Sequence, residues 1–299
     1  MINQDFNSII DLIKAFPTQQ SCIDHLEQLR WNGNVISPFD ADSKVYNCKG
    51  NKYKCKNTGK YFNVKTNTIF DNTKMELQKW FLAIWLVTSH KKGISSLQLG
   101  RDLGITQKSA WFMLSRIRQC FGIDNDQLDN EVEADETYVG GKNKNRHANK
   151  KVKGNTDDKA PVLGMVERGG KVKAKKVENT TYETLSQEIL NNVKETAKLY
   201  TDEYTSYNRL KRVYDHQTVK HNQSQYVNGR VHTNTIESFW ALLKRGVYGI
   251  YHFTSKKHLQ LYVDEFVFRY NTRQGSEAAR FNLLLQNTEN RITYKKLIA

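Results

Sequence analysis

The chain has 299 residues, 38% of them hydrophobic and 11% aromatic, with 46 Lys+Arg against 31 Asp+Glu for a formal charge of +15. This composition excludes global disorder and leaves apolar material for one large domain or two to three small ones. The positive excess favours a polyanionic partner, because each neutralised phosphate releases condensed counterions; a merely basic soluble protein is the plainer alternative.

No apolar run approaches the ~20 residues of a bilayer span. The start "MINQDFNSIIDLIKAF" lacks a basic stretch followed by an apolar one, so no signal peptide and no membrane partner are expected. Cys22, Cys48, Cys55 and Cys120 follow no pattern, as in a reducing cytosol.

In chain order, residues 6–31 read as two short amphipathic helices around "FPTQQ", with Thr18 a suitable N-cap for the second. From 35 to 70, Tyr, Val, Thr and Lys alternate between Gly-Asn and Thr-Gly turns, the pattern of a small β-meander. Helical periodicity returns at "LQKWFLAIWLVTSHKKG" and lasts to about residue 121. Within it, Ser95 or Ser96 can cap one short helix, Gly104 makes a turn and Thr106 caps another. Leu99, Leu103, Ile105, Ala110, Leu114 and Ile117 form the inward face, leaving Gln107, Lys108, Arg116 and Arg118 outward. That is the shape of a helix-turn-helix, with Lys108 and Arg116 as DNA contacts; an ordinary helical hairpin has the same pattern.

A polar stretch near 124–130 separates this from "EVEADETYVG", "APVLGMVERG" and "KVKAKKVEN", three strands in succession. A helix at "YETLSQEILNNVKETA", strands at "KLYTD" and "HQTVKH", and a helix from Thr233 or Asn234 follow. Such an order indicates a mixed sheet with helices packed on it. Alternation places Glu133, Asp135 and Thr137 on one face of the first strand, and buried carboxylates there need a cation, a metal or solvent at the strand end. Asp202 closes the strand "KLYTD", where ligands of mixed α/β sheets gather. In "VHTNTIESFWALLKRGVYG" the buried stripe is Ile236, Phe239, Leu243 and Val247, and Glu237 falls on another face with Lys244 two turns on. Three carboxylates from two strands and a helix supply the hard oxygen ligands that Mg²⁺ prefers.

The order Asp135, Asp202, Glu237, with 34 residues between the last two, resembles the acid triad of DDE insertion-sequence transposases. More narrowly, "VEADETYVGGKNKNRH", "YTDEYTSYNRL", "VHTNTIESFWALLKRGVYGIYH" and the closing "SKKHLQLYVDEFVFRYNTR" are similar to the bacterial group related to the eukaryotic Merlin elements. This resemblance spans about residues 15 to 275. It implies an α+β, α/β multidomain chain: N-terminal helices over 1–34, a zinc-ribbon-like meander over 35–76, a helix-turn-helix region over 77–124, a ribonuclease-H-like mixed sheet with flanking helices over 130–275, and a tail over 276–299.

It also implies Asp135, Asp202 and Glu237 as catalytic ligands of two Mg²⁺ or Mn²⁺ ions, Lys244 and Arg245 as strand contacts, and His232 and Asn234 as neighbours of the site. The partners would be double-stranded DNA, both inverted-repeat ends and target, bound by a homo-oligomer in a bacterial cytoplasm, at the nucleoid. A related nuclease, or a descendant that only binds DNA, are the rivals. Between 141 and 176 twelve Lys or Arg face three acids, and Lys171, Lys173 and Lys175 alternate onto one strand face. They form either a phosphate track or a solvated face. One departure stands out. Where relatives carry two Cys-x-x-Cys knuckles, this chain has "SPFD" at 37–40 and "CKNT" at 55–58, so only Cys55 remains and structural zinc is not expected. The meander would then be held by Tyr46, Tyr53, Tyr61 and Phe62.

Overall fold

The computed structural model describes residues 6–122, 126–140, 159–219, 230–289 and 291–298. The chain divides into two compact units, one of residues 1–123 with 274–299, the other of residues 124–273. The basic run inside 141–158 lies outside the described residues. Among the described residues no helix is long and apolar enough to cross a membrane.

In the first unit, α1 (Ile9–Ala15) and α2 (Gln19–Trp31) begin at Ser8 and Thr18, and Thr18 exchanges capping-box bonds with Ser21. Strands β1 (Val45–Cys48), β2 (Lys52–Cys55) and β3 (Tyr61–Phe62) form an antiparallel meander. Its aromatic filling differs from expectation. Tyr53 and Phe62 pack on Trp31, with centroids 5.3 and 6.1 Å from the indole, whereas Tyr46 and Tyr61 are exposed. Alternation turned those two rings outward, where Lys44 and Lys54 lie over them.

Helix α3 (Leu77–Ser89) is apolar nearly all round and buried. Helices α4 (Ser96–Leu103) and α5 (Gln107–Arg118) are capped by the Ser95 and Thr106 hydroxyls and joined at Gly104, whose φ of +60° is the left-handed value that glycine tolerates best.

The second unit is built on a five-stranded mixed sheet: β4 (Glu131–Val139), β5 (Ala160–Glu167), β6 (Val172–Lys176), β7 (Lys198–Thr201) and β8 (Asp215–Thr218), in the order β6-β5-β4-β7-β8. The β4–β5 and β5–β6 pairs are antiparallel, and the β4–β7 and β7–β8 pairs are parallel. Helix α6 (Tyr182–Asn192) covers one face, over Val132, Ala134, Leu163, Met165 and Leu199. Helices α7 (Asn234–Gly246) and α8 (Leu259–Asn271) cover the other, over Val139, Val162, Val166, Val172 and Ala174. The period of two explains the split: each strand sends alternate residues to each layer. The outer edge of β6 is not left open, because Gln260 and Asn271 of α8 bond the backbone of Val172, Ala174 and Lys176.

Residues 276–299, expected as a tail, instead complete the first unit. Helix α9 (Glu277–Gln286) places Phe281 within 5.3 to 6.1 Å of Phe6, Phe16 and Phe81, and α10 (Tyr294–Ile298) sets Tyr294 edge-on to Phe112. The apolar spacing of "AARFNLLLQ" is that of a core helix.

Candidate active site

Strand pairing brings the first two acids together. Glu131, Val132 and Glu133 of β4 lie beside Lys198, Leu199 and Tyr200 of β7 in parallel register. Two residues further along that register, Asp135 and Asp202 become neighbours, Asp135 facing α7 and Asp202 just past the end of β7. Burial pushes the Asp135 carboxyl up to about 7, aided by the charges of Glu136 and Asp202, while a bond from Trp240 pulls it down. Glu136 is raised as well, first by burial and then by Asp202. It faces the α6 side, where the buried Tyr207 hydroxyl donates to it at 2.5 Å. Asp202 Oδ1 accepts the backbone amide of Tyr204 at 3.0 Å, which holds the turn after β7.

Helix α7 runs along β4 in the same direction. At its start, Glu133 Oε2 accepts the backbone amides of Thr235 and Ile236 at 2.8 and 3.0 Å. In its middle, Trp240 Nε1 donates to Asp135 Oδ2 at 2.9 Å. Just past its end, the Tyr248 hydroxyl points to the Gly140 carbonyl at 3.4 Å. Gly164, the β5 partner of Asp135, permits this approach: a Cβ there would stand 2.5 Å from the Trp240 ring and 2.8 Å from Ile236 Cδ1.

Thr233 precedes the helix but does not cap it; its hydroxyl donates to Glu237 Oε1 at 3.1 Å. The cap comes from Glu133, 102 residues away in sequence. Glu237 is exposed on the first turn, between Thr233 and Trp240.

Asp135 and Asp202 are thus brought together. Among the described residues, no three His, Cys, Asp or Glu side chains converge with metal-binding geometry, so Glu237 is not gathered with them. Mg²⁺ is usually held by one or two carboxylates, with waters and substrate phosphate completing the shell. Asp135 keeps Oδ1 clear of the Trp240 bond, and crowded negative charge beside it is what a divalent cation neutralises. The donor set fits such an ion.

The remaining expected contacts divide. Lys244 is half-buried and Arg245 exposed at the end of α7. Asn234 is exposed at its first position, while His232 Nδ1 lies 3.1 Å from Glu133 Oε1 at ion-pair distance. Lys173 and Lys175 share one face of β6, the α6 face, with Lys171 just ahead of the strand. There they meet Asp126 at 3.3 Å, Asn192 at 3.4 Å and Glu188 at 2.6 Å. Lys108 is exposed and sits over the Tyr294 ring.

Arg116 is a correction. It is buried, donates to the carbonyls of Ile69 and Asp71 at 2.7 and 2.9 Å, and covers the Phe112 ring. Arg118 is buried too. The last turns of α5 are enclosed on all sides, so only its first turn is outward. Glu133 and Arg168 were not singled out from sequence as a linked pair. The alternation that placed Glu133 beside Asp135 was visible, but its partners lie 35 and about 100 residues away.

In the first unit, the knuckle positions meet without zinc ligands. Ser37 bridges to Asp40, and the hydroxyls of Ser37, Ser43 and Thr58 surround the buried Cys55 thiol. Burial pushes that thiol up, and its hydrogen bonds to these hydroxyls and to the Thr58 backbone bring it down to about 6. Cys48 stands opposite Lys52 while Cys55 stands opposite Val45, three rungs along the hairpin or about 10 Å away. Hydroxyls and one thiol do not make a structural zinc set.

Residues 127–271 match the model of the ISXO2-like transposase domain. That stretch is similar to the DDE domain of insertion-sequence transposases. A relative, an uncharacterised protein in transposable element ISH50 of Halobacterium salinarum, is 27% identical over 287 residues, covering 90% of this chain and 97% of its own. Among solved structures, a pre-cleavage Mos1 transpososome matches with 11% identity and a TM-score of 0.28, covering 94% of this chain and 97% of that one. The Mos1 strand transfer complex matches with 10% identity and a TM-score of 0.30, covering 94% and 96%. The matched stretch contains the whole β4-to-α8 layer that holds the acids.

Proposed function

We propose that this protein binds the terminal inverted repeats of its insertion sequence and catalyses metal-dependent DNA cleavage and strand transfer. Asp135, Asp202 and Glu237 are its catalytic carboxylates. The single observation that carries the reading is that Asp135 on β4 and Asp202 just past the end of the adjacent parallel β7 lie side by side, next to a helix that bears Glu237 and is bonded to β4.

The strand order, with three antiparallel strands followed by two parallel ones, supports a ribonuclease-H-like core. Asp135 and Asp202, carried by strands, present carboxylate oxygens at fixed positions, and Trp240 holds the orientation of Asp135. Glu237, on the first turn of α7 and apart from the two aspartates, would join them at the bound ions. Bound divalent ions would activate water or a 3′-hydroxyl and stabilise the leaving oxygen of an in-line displacement. Lys244 and Arg245 lie along the same helix, where a DNA strand leaving the carboxylates would pass.

In the first unit, α4 and α5 act as the helix-turn-helix that reads the DNA ends, with Lys108 on the exposed first turn of α5 and the meander a zinc-free support. The protein works as an oligomer on DNA.

The test uses DNA bearing the flanking inverted repeats, with Mg²⁺. Parent protein nicks at 3′ ends and joins them to target. Asp135→Ala, Asp202→Ala and Glu237→Ala each lose detectable cleavage but retain DNA binding, because the basic surface is unchanged. Near-parental cleavage by any one removes that residue from the site.

A further inference from the structure

Asp135 and Asp202 are set by strand register, but Glu237 stands on a helix, whose rotation and position need a separate constraint. Glu133 supplies one. It is fully buried, two residues before Asp135 on the same face of β4. Its Oε2 takes the amides of Thr235 and Ile236, and its Oε1 takes the Thr235 hydroxyl at 2.9 Å and Arg168 Nε at 2.7 Å. Arg168 also donates to the carbonyls of Arg230 at 2.7 Å and His232 at 2.9 Å, and its guanidinium lies 4.4 Å from the Tyr200 ring centroid.

A buried carboxylate is stable only when its lone pairs are met. Here the hydrogen bonds to it come from Arg168 and from the first turn of α7, with His232 Nδ1 3.1 Å from Oε1 beside them. The planar guanidinium fork reaches the acid and the lead-in chain at once, which a lysine could not do. One strand therefore carries both a site carboxylate and the anchor of the helix that bears the third.

We propose that Glu133 and Arg168 are positioning residues of the transposase site: together they fix the first turn of α7 on β4 and so set where Glu237 stands relative to Asp135 and Asp202. The inference rests on Glu237 being a site residue.

Its test reads helix placement and metal binding separately. Trp240 is the one tryptophan of the second unit, since Trp31, Trp80, Trp85 and Trp111 belong to the first. Protein labelled with 5-fluorotryptophan gives a Trp240 fluorine resonance assigned by Trp240→Phe. In Glu133→Ala, and to a smaller extent in Glu133→Gln and Arg168→Lys, that resonance shifts or broadens while the four others hold. Affinity for Mn²⁺, read by electron paramagnetic resonance, falls about ten- to a hundred-fold, as it does when the partners that orient ligands are removed. Binding of inverted-repeat DNA without divalent ion stays parental.

Folded variants with the parental Trp240 resonance and parental Mn²⁺ affinity overturn the proposal. So does global unfolding of all three variants, which would make the pair a stability element alone. A parent protein with no Mn²⁺ affinity sinks the metal site itself; a parent that binds Mn²⁺, with variants unchanged in both readouts, sinks only the positioning role.

Discussion

In the three-stranded sheet the hydroxyls of Ser37, Ser43 and Thr58 close around Cys55, each polar group answered by another of the same loop cluster. In the five-stranded sheet Asp135, Glu136 and Asp202 crowd one another, and burial with mutual repulsion lifts Asp135 to about 7. The first arrangement is closed, with the thiol bonded by hydroxyls and an aromatic filling from Trp31, Tyr53 and Phe62. The second stores unbalanced negative charge against a basic chain of +15. A sheet that only has to stand gains from satisfied polar groups. Charge that the fold alone would neutralise, gathered at one strand end, marks a functional-site candidate.

The largest expected effect comes from pressing on the crowded sheet. Gly164→Ala puts a Cβ 2.5 Å from the Trp240 ring, inside any real contact, against a ring bonded to Asp135. The helix must lift or Trp240 must turn. Denaturant unfolding should show a loss of about 1–3 kcal/mol, the range for overpacked cores, together with reduced cleavage of end DNA. A variant of parental stability and activity would mean that α7 packs loosely over β4.

A second effect concerns burial of charge away from the acids of the site. On α8, burial pushes the Asp264 carboxyl up to about 6, with the Gln260 bond pulling it down. A carboxyl whose folded value exceeds its unfolded one holds its proton longer in the native state, so the stability it contributes is present below about pH 4 and lost as pH rises through 6. Asp264→Asn removes that dependence. Relative to parent, the variant should gain stability between pH 4 and 7 by an amount on the order of 1–3 kcal/mol. A gap between the two proteins that stays constant with pH would show that Asp264 is hydrated.

Much of this contrast was legible in the sequence. Period-two alternation put Asp135 on a covered face, the apolar strand ending in Asp202 marked a strand terminus, and the stripe of Ile236, Phe239, Leu243 and Val247 gave the buried side of α7. Caps at Thr18, Ser95 and Thr106 are local chemistry and could be read directly. What could not be read depends on distant pairing. Arg116 lies at a helical position that also suits an outward cation; only the carbonyls of Ile69 and Asp71, brought by a loop more than 40 residues earlier, turn it inward. Glu133 looked like any buried acid awaiting a cation, and its answer was Arg168 with two helix amides. Residues 276–299 have a core helix pattern, but nothing local says that Phe281 fills a cluster built from residues 6 to 81.

Lys244 offers a smaller effect on the crowded sheet's side of the comparison. It lies seven residues after Glu237, two helical turns on and within about 20° of the same face. A contact there is a phosphate contact, so it positions DNA without reading sequence. Lys244→Ala should flatten the salt dependence of end binding by about one unit and change folding stability by no more than about 0.5 kcal/mol. An unchanged salt slope makes it a solvated charge.

The smallest expected effect is none, and it tests the closed sheet. Structural zinc takes four thiolate or imidazole ligands, and its loss unfolds the module that it holds. Positions 37, 40, 55 and 58 offer Ser, Asp, Cys and Thr, and Cys48 stands about 10 Å along the hairpin from Cys55 by strand rise. The hydroxyl cluster and the Trp31, Tyr53 and Phe62 packing are what hold the loops together. Purified protein should therefore carry no stoichiometric zinc by elemental analysis, and strong chelator should leave the fluorescence transition of Trp31 where it was. Chelator acts on both sheets at once, so the comparison is internal: end cleavage stops as Mg²⁺ is removed, while the three-stranded sheet keeps its melting midpoint. One zinc per chain, or a midpoint that falls with chelator, would place a metal among Cys55 and its neighbours and erase the difference between the two sheets.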